Sequence, residues 1–199
     1  MEIVKDNVYS FEQYREVVDK YVQIDAREIN FQNRVILRLL DKIFINDQDI
    51  SIVDVSTQYK NKESKLHTRK FYAWDHTPDL LIVKNWTYKN GDKEEEGYLA
   101  IVEIKSPILD PIDKNSIHTN QEIADYRAHC KKVILTDCYE WQFFEEGRLL
   151  RTFVLHDKTD WVMKSVKNPD YVAKELGFPT VREGSEEWDD LLTYLKEFV

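Results

Sequence analysis

The stretch Tyr98–Pro107, YLAIVEIKSP, restricts the possible folds more than any other part of the chain. Its apolar run from Leu99 to Ile104 is typical of a strand that is covered on both faces of a sheet. This run contains an acid, Glu103, and Lys105 follows two residues later. Because an unpaired buried carboxylate is costly, we expect Glu103 to have a charged partner inside the fold.

Helical and extended patterns alternate along the rest of the chain. Apolar residues at helical spacing predict helices over 25–44, over 117–130 and after Trp161, and shorter apolar runs predict strands over 50–59, 78–83, 98–105 and 132–157. This order predicts an α/β fold with a mixed central sheet flanked by helices. The 199 residues favour a single domain, with its core over 25–155 and a C-terminal helical segment over 160–199.

The charge balance on its own argues against nucleic acid as a partner. There are 37 acidic and 28 basic residues, which gives a formal net charge of −9. Residues 60–70 differ from the rest of the chain, because they include five basic residues and one acid, Glu63. The basic residues are Lys60, Lys62, Lys65, Arg69 and Lys70. They are suited to phosphate contacts, but a solvated basic hairpin explains them equally well.

The sequence has no apolar run that is long enough to span a membrane and no N-terminal secretory pattern. Its two cysteines, Cys130 and Cys138, match neither a zinc spacing nor a disulfide framework. These features predict a protein of the cytoplasm with no membrane partner. They leave open a homodimer and an assembly with a partner subunit.

Two carboxyl groups and a lysine are predicted to meet at one end of the sheet. Side chains alternate along a strand, so Leu99, Ile101, Glu103 and Lys105 share one face, and the Cα atoms of Glu103 and Lys105 are about 7 Å apart. Asp79 opens the preceding strand directly after a proline. If these two strands form an antiparallel hairpin, Asp79 lies across from Glu103. Oxygen ligands of this kind suit a hard divalent cation such as Mg²⁺.

The first predicted helix supplies a further acid. Glu28 precedes Phe31, Val35 and Leu39 by three, seven and eleven residues, which places it on the same helical stripe. We therefore expect Glu28 to face the sheet. Taken singly, Glu28 is also explained as a first-turn acid that favours the helix dipole, and Asp79 as a turn residue.

These residues resemble the signature of the PD-(D/E)XK nuclease superfamily. The match consists of TPDLLIV, with Asp79, and YLAIVEIK, with Glu103 and Lys105, about twenty residues later. The following segment, NQEIADYRAHCKKVILTDCYEWQFFEEGRLL, is similar to the nuclease domain of type I restriction subunits, in which a Gln-x-x-x-Tyr helix precedes a strand. Here Gln121 and Tyr126 are five residues apart instead of four. The similarity covers roughly residues 25–150 and implies a restriction-endonuclease-like core.

The resemblance implies a Mg²⁺-dependent deoxyribonuclease, with Mn²⁺ as a substitute for Mg²⁺. Asp79, Glu103 and the backbone carbonyl of Ile104 would be the metal ligands, and Lys105 would act on the attacking water. Glu28 would complete the catalytic set, with Gln121 and Tyr126 as accessory residues. An alternative is a binding module, such as an inhibitor or assembly subunit, that keeps the nuclease fold without catalysis. The acidic composition favours this alternative, and the intact set of two acids and a lysine opposes it.

Overall fold

A computed structural model of the chain describes residues 9–56, 76–86, 97–112, 116–155 and 185–199. The helical segments are α1 (Phe11–Ile24), α2 (Glu28–Phe31), a π-helical segment (Gln32–Ile36), α3 (Leu37–Ile43), α4 (Ile117–Tyr126) and α5 (Ser185–Phe198). The strands are β1 (Ile50–Asp54), β2 (Leu80–Lys84), β3 (Tyr98–Ile104), β4 (Lys132–Thr136), β5 (Glu140–Glu145) and β6 (Arg148–Val154).

Within the described residues, six strands form one mixed sheet in the order in which they follow one another along the chain. Neighbouring strands are antiparallel except for β3 and β4, which are parallel and are connected through α4. Helices flank this sheet, so the predicted α/β class with a mixed central sheet is confirmed. The predicted hairpin between β2 and β3 is also present.

Strand β3 is covered on both faces, as its continuous apolar run predicts. Ala100, Val102 and Ile104 belong to the larger core cluster, which includes residues of α1, α3 and α5. Ile101 belongs to the second cluster, which includes Tyr126 of α4. The central position of β3 therefore buries every side chain from Ala100 to Ile104, including that of Glu103.

The prediction for Leu99 is wrong. Strand alternation predicts Leu99 on the same face as Ile101, but it packs against the larger cluster with Ala100 and Val102. The pairing between β2 and β3 shifts at this point, since Ala100 lies opposite Ile82 and Tyr98 lies opposite Val83. A bulge of this kind adds one residue to a strand and changes the alternation of side chains locally.

The predicted helix over 25–44 begins three residues later, at Glu28. Asp25 instead accepts hydrogen bonds from the backbone and side chain of Arg27, which keeps this link outside the helix. The predicted stripe of Phe31, Val35 and Leu39 is buried. The middle of the helix is π-helical, and Gln32 in this segment is buried as well, with its side-chain amide donating a hydrogen bond to the hydroxyl of Ser56.

Two other helices differ from the sequence-based expectation. Helix α1 was not predicted, although Ser10 and Gln13 cap its first turn reciprocally. Helix α4 ends at Tyr126, four residues before the predicted end at Cys130. Both cysteines are free and buried.

The C-terminal helix α5 joins the larger core cluster. The Trp188 indole donates a hydrogen bond to the carbonyl of Tyr9, and its ring lies 4.4 Å from that of Tyr14. At the other end of α5, Phe198 packs against Phe143 of β5. The rest of the predicted helical segment, residues 160–184, lies outside the described residues. Within the described ranges, none of the helices is both long and apolar enough to cross a membrane.

Candidate active site

Asp79 lies at the end of the β2–β3 hairpin, opposite Glu103. Leu80 pairs with Val102, and continuing this antiparallel register by one residue brings Asp79 to Glu103. Residues that are directly opposite in such a pair point to the same face of the sheet. Asp79 is buried, and its Oδ2 accepts a 2.7 Å hydrogen bond from the backbone N–H of Ile104. This bond fixes the Asp79 carboxyl group against the end of β3.

Glu103 has a partner for each of its oxygens. Its Oε1 lies 2.8 Å from the ammonium nitrogen of Lys105, and its Oε2 accepts a 2.8 Å hydrogen bond from the hydroxyl of Tyr126. The side chains of Glu103 and Lys105 are only 7% and 9% exposed. Glu103 is therefore buried in an apolar strand and has a charged partner, Lys105, as its sequence context predicts.

Lys105 contacts a second carboxylate that the sequence-based interpretation missed. Its Nζ lies 2.8 Å from Oε2 of Glu122, which is on α4. The Lys105 backbone N–H donates to the carbonyl of Thr136, which keeps the end of β3 aligned with β4. The lysine thus stands between an acid from its own strand and an acid from a helix.

Glu28 lies at the start of α2, which is bonded to the end of β3. The hydroxyl of Ser106, the residue after Lys105, donates a 2.5 Å hydrogen bond to the carbonyl of Ala26. This contact ties the end of β3 to the start of α2, where Glu28 is half-buried. Glu28 is close enough to Lys105 and Glu103 for their charges to affect its pKa.

Among the described residues of this cluster, the carboxyl groups outnumber the single amine of Lys105. Burial, together with the charges of Glu103 and Glu28, raises the pKa of Asp79 well above its usual range. Burial also raises the pKa of Glu103, although Lys105 acts in the opposite direction. For Lys105, burial favours the neutral form, but Glu103 and Glu122 outweigh it and raise the pKa. An ammonium ion at this position is therefore strongly held.

Glu28 gives a direct test of this excess charge. Burial raises its pKa from 4.5 to about 7, against the opposing effect of Lys105. The folded state then binds more protons than the unfolded state between these values, so Glu28 lowers stability as the pH rises from 4.5 to 7. We expect Glu28→Gln to stabilise the protein at pH 8 by about 1–2 kcal/mol, after allowance for the partial exposure of the side chain.

Urea unfolding in EDTA at pH 8 and pH 4.5 measures this effect. The two proteins should have nearly equal stability at pH 4.5, where Glu28 is protonated in the folded state. Glu16→Gln, at an exposed position on α1, is the matched control and should change stability little at either pH. A variant that is less stable than the wild type at pH 8 would show that the Glu28 carboxylate is favourable in the folded protein.

The side chains of this cluster offer the type of ligand atom that a hard divalent cation prefers, namely oxygen. Asp79, Glu103 and Glu28 offer carboxylate oxygens, and their unbalanced charge would be relieved by a cation. Their present arrangement does not form a metal site: over the described part of the chain, no three His, Cys, Asp or Glu side chains stand in a metal-binding arrangement. At Glu103, each oxygen already has a protein partner, Lys105 at Oε1 and Tyr126 at Oε2. A metal ion at Glu103 would compete with these two partners for the carboxylate.

The structure places the predicted accessory and nucleic-acid-binding residues as follows. Tyr126 contacts Glu103, whereas Gln121 is exposed on α4. Glu122 is the residue four positions before Tyr126, so the spacing of the Gln-x-x-x-Tyr pattern holds for Glu122 instead of Gln121. That spacing was the signal that could have identified Glu122. The basic residues Lys60, Lys62, Lys65, Arg69 and Lys70 lie outside the described residues.

No protein-family model and no curated protein matches the chain. Among solved structures, the chain resembles the type IIG restriction endonuclease BpuSI, with a TM-score of 0.35 and 13% sequence identity. The similarity covers 77% of this chain and 18% of the endonuclease chain. At this level the similarity carries no argument about the chemistry of the site.

Proposed function

We propose that this protein is a metal-dependent nuclease that hydrolyses phosphodiester bonds in DNA. The observation that supports this function is the meeting of Asp79, Glu103 and Lys105 at one end of the sheet. Asp79 is opposite Glu103 across the hairpin, and Lys105 contacts Glu103 directly. Two acids and a lysine at one sheet end are the groups that the sequence motif of the PD-(D/E)XK nucleases provides.

The proposed chemistry assigns a role to each residue. Asp79, Glu103 and the carbonyl of Ile104 would hold Mg²⁺ or Mn²⁺, with Glu28 near the same position. When bound there, the cation would lower the pKa of a water molecule and stabilise charge on phosphate oxygens. Lys105 would orient the attacking water and offset the charge that develops on the phosphate. Ile104 contributes twice, because its N–H also keeps the Asp79 carboxyl group in position.

The choice of DNA depends on the sequence resemblance and on the basic stretch around Lys65. Its five basic side chains would contact phosphates, and they offset locally the negative charge of the whole chain. A nuclease with a net charge of −9 needs such a local surface for its substrate to approach.

Cleavage assays test the proposal directly. Supercoiled plasmid, linear duplex and single-stranded DNA are incubated with the protein in Mg²⁺, Mn²⁺ or EDTA. We expect cleavage with either metal and none in EDTA, and an RNA substrate of the same sequence tests the choice of DNA. Absence of cleavage with all DNA substrates in both metals would contradict the proposed function.

A non-catalytic binding module is the second candidate, and one observation favours it. Both oxygens of Glu103 are occupied by protein groups, so Lys105 can serve as a permanent counter-ion. Thermal melts with and without millimolar Mg²⁺ or Mn²⁺ separate the two functions. Metal at about a hundred times its Kd should add about 2.7 kcal/mol to the stability of a metal-binding nuclease. This corresponds to an increase in Tm of roughly 5–10 °C. An unchanged Tm supports the binding module.

A further inference from the structure

Helix α4 holds both members of the Glu103–Lys105 pair, through two residues that are one helical turn apart. Tyr126 donates to Oε2 of Glu103, and Glu122 accepts from Nζ of Lys105, each over 2.8 Å. Residues at i and i+4 lie on the same face of a helix, so one face of α4 reaches both charged groups. The contact from Tyr126 fixes the acid, Glu103, and the contact from Glu122 fixes Lys105.

The nuclease proposal, on which the present inference rests, creates a problem for Lys105. A cation held by Asp79 and Glu103 would compete with Lys105 for the carboxylate of Glu103, because Lys105 contacts Oε1 of that group. The ammonium group would also be repelled by the charge of the cation. A lysine has a long flexible stem and its charged end is drawn toward water, so without another partner it would leave the site.

We propose that Glu122 is a positioning residue that keeps the Lys105 ammonium group in the site when Glu103 coordinates the metal. Glu122 lies on α4, so its carboxylate does not belong to the β2–β3 hairpin that supplies Asp79 and Glu103. Its side chain is 14% exposed, which limits competition from water for the contact with Lys105. The other oxygen of Glu122, Oε1, lies 3.8 Å from Nδ1 of the exposed His118, on the outer side of the contact.

The test uses Glu122→Gln, which keeps the size of the side chain and removes its charge. The matched control is Asp125→Asn, an equivalent change on the same helix at a residue that pairs with His76. The first measurement is the NMR signal of the Lys105 Nζ group, which is observed when the ammonium protons are protected from exchange. Lys105→Arg removes this signal and thereby assigns it.

In the wild type, we expect the Lys105 signal both in EDTA and with saturating Mg²⁺. In Glu122→Gln it should be present in EDTA, where Glu103 still holds the lysine, and be lost when Mg²⁺ is added. Asp125→Asn should behave as the wild type does. A signal that persists with Mg²⁺ in Glu122→Gln would overturn the inference. Loss of the signal already in EDTA would overturn it too, because it would show a structural role that does not depend on the metal.

The second measurement is the rate of DNA cleavage. Glu122→Gln should lower kcat by roughly 10–100-fold and change KM by less than about twofold, because the lysine is displaced while the substrate contacts remain. If the wild type cuts DNA and Glu122→Gln cuts equally well, the inference fails and the proposed function stands. If the wild type does not cut DNA, the proposed function fails, and the NMR measurement with Mg²⁺ alone still decides the role of Glu122.

Discussion

Glu103→Gln should abolish metal-dependent cleavage, with a loss of at least about a hundredfold in rate, while the protein remains folded. The variant loses a charged metal ligand, so the increase in Tm on addition of Mg²⁺ should disappear as well. Without metal, the variant should be as stable as the wild type or more so. Burial raises the pKa of Glu103, which means that its ionised form is disfavoured in the folded protein.

The amide that Glu103→Gln introduces can satisfy the neighbours of Glu103. Its oxygen can accept from Lys105, and its NH₂ group can donate to the hydroxyl of Tyr126. The matched control is Glu145→Gln, which makes the same substitution in a strand but away from the candidate site. Glu145 lies opposite Lys132 at the start of β4, whereas Glu103 lies opposite Leu135 near the end of that strand. Cleavage by Glu103→Gln at the wild-type rate would show that the chemistry takes place elsewhere in the chain.

The central hairpin was predictable because its sequence signals are local and agree with one another. The apolar run of β3 requires a strand covered on both faces, and the acid within it requires a partner. The proline before Asp79 marks the entry to β2, and the register of β2 with β3 then brings Asp79 opposite Glu103. These steps need only the alternation of a strand and the antiparallel pairing of a hairpin.

The features of the structure that were not predicted include a bulge in β3 and a site residue that lies one position away from the predicted one. The bulge at Leu99 changes the face of one side chain, and nothing in the apolar run indicates it. Glu122 is adjacent to Gln121, and only the helical spacing to Tyr126 distinguishes the two. Helix α1 did carry a readable signal, since Ser10 and Gln13 form a capping box before an amphipathic stretch.

Long-range contacts account for the rest of the candidate site. The bond from Ser106 to Ala26 brings the start of α2 to the end of β3, across eighty residues of chain. The contact between Lys105 and Glu122 depends on the angle at which α4 crosses the sheet. Sequence periodicity gives the face of a helix but not its position on the sheet, so neither contact could be derived from the sequence.

Lys105→Met should destabilise the folded protein by about 3–5 kcal/mol at pH 8 in EDTA, the largest stability effect that we expect in the described core. Methionine replaces much of the lysine stem, so the loss comes mainly from the charge. Glu103 and Glu122 would then face each other across a buried space without the ammonium group that lies between them. Glu103→Gln in the same chain should recover most of the lost stability, because it removes one of the two repelling charges.

The pH dependence separates this electrostatic loss from a loss of packing. Without Lys105, the pKa of Glu103 rises further in the folded state, so that state takes up protons as the pH falls toward 5. The deficit of Lys105→Met should therefore be largest at pH 8 and shrink steadily toward pH 5, as measured by urea unfolding at each pH. A deficit of the same size at both pH values would mean that the lysine stem stabilises the fold by packing. Mg²⁺ should also reduce the deficit at pH 8, because a divalent cation can replace the ammonium charge that the variant lacks beside Glu103.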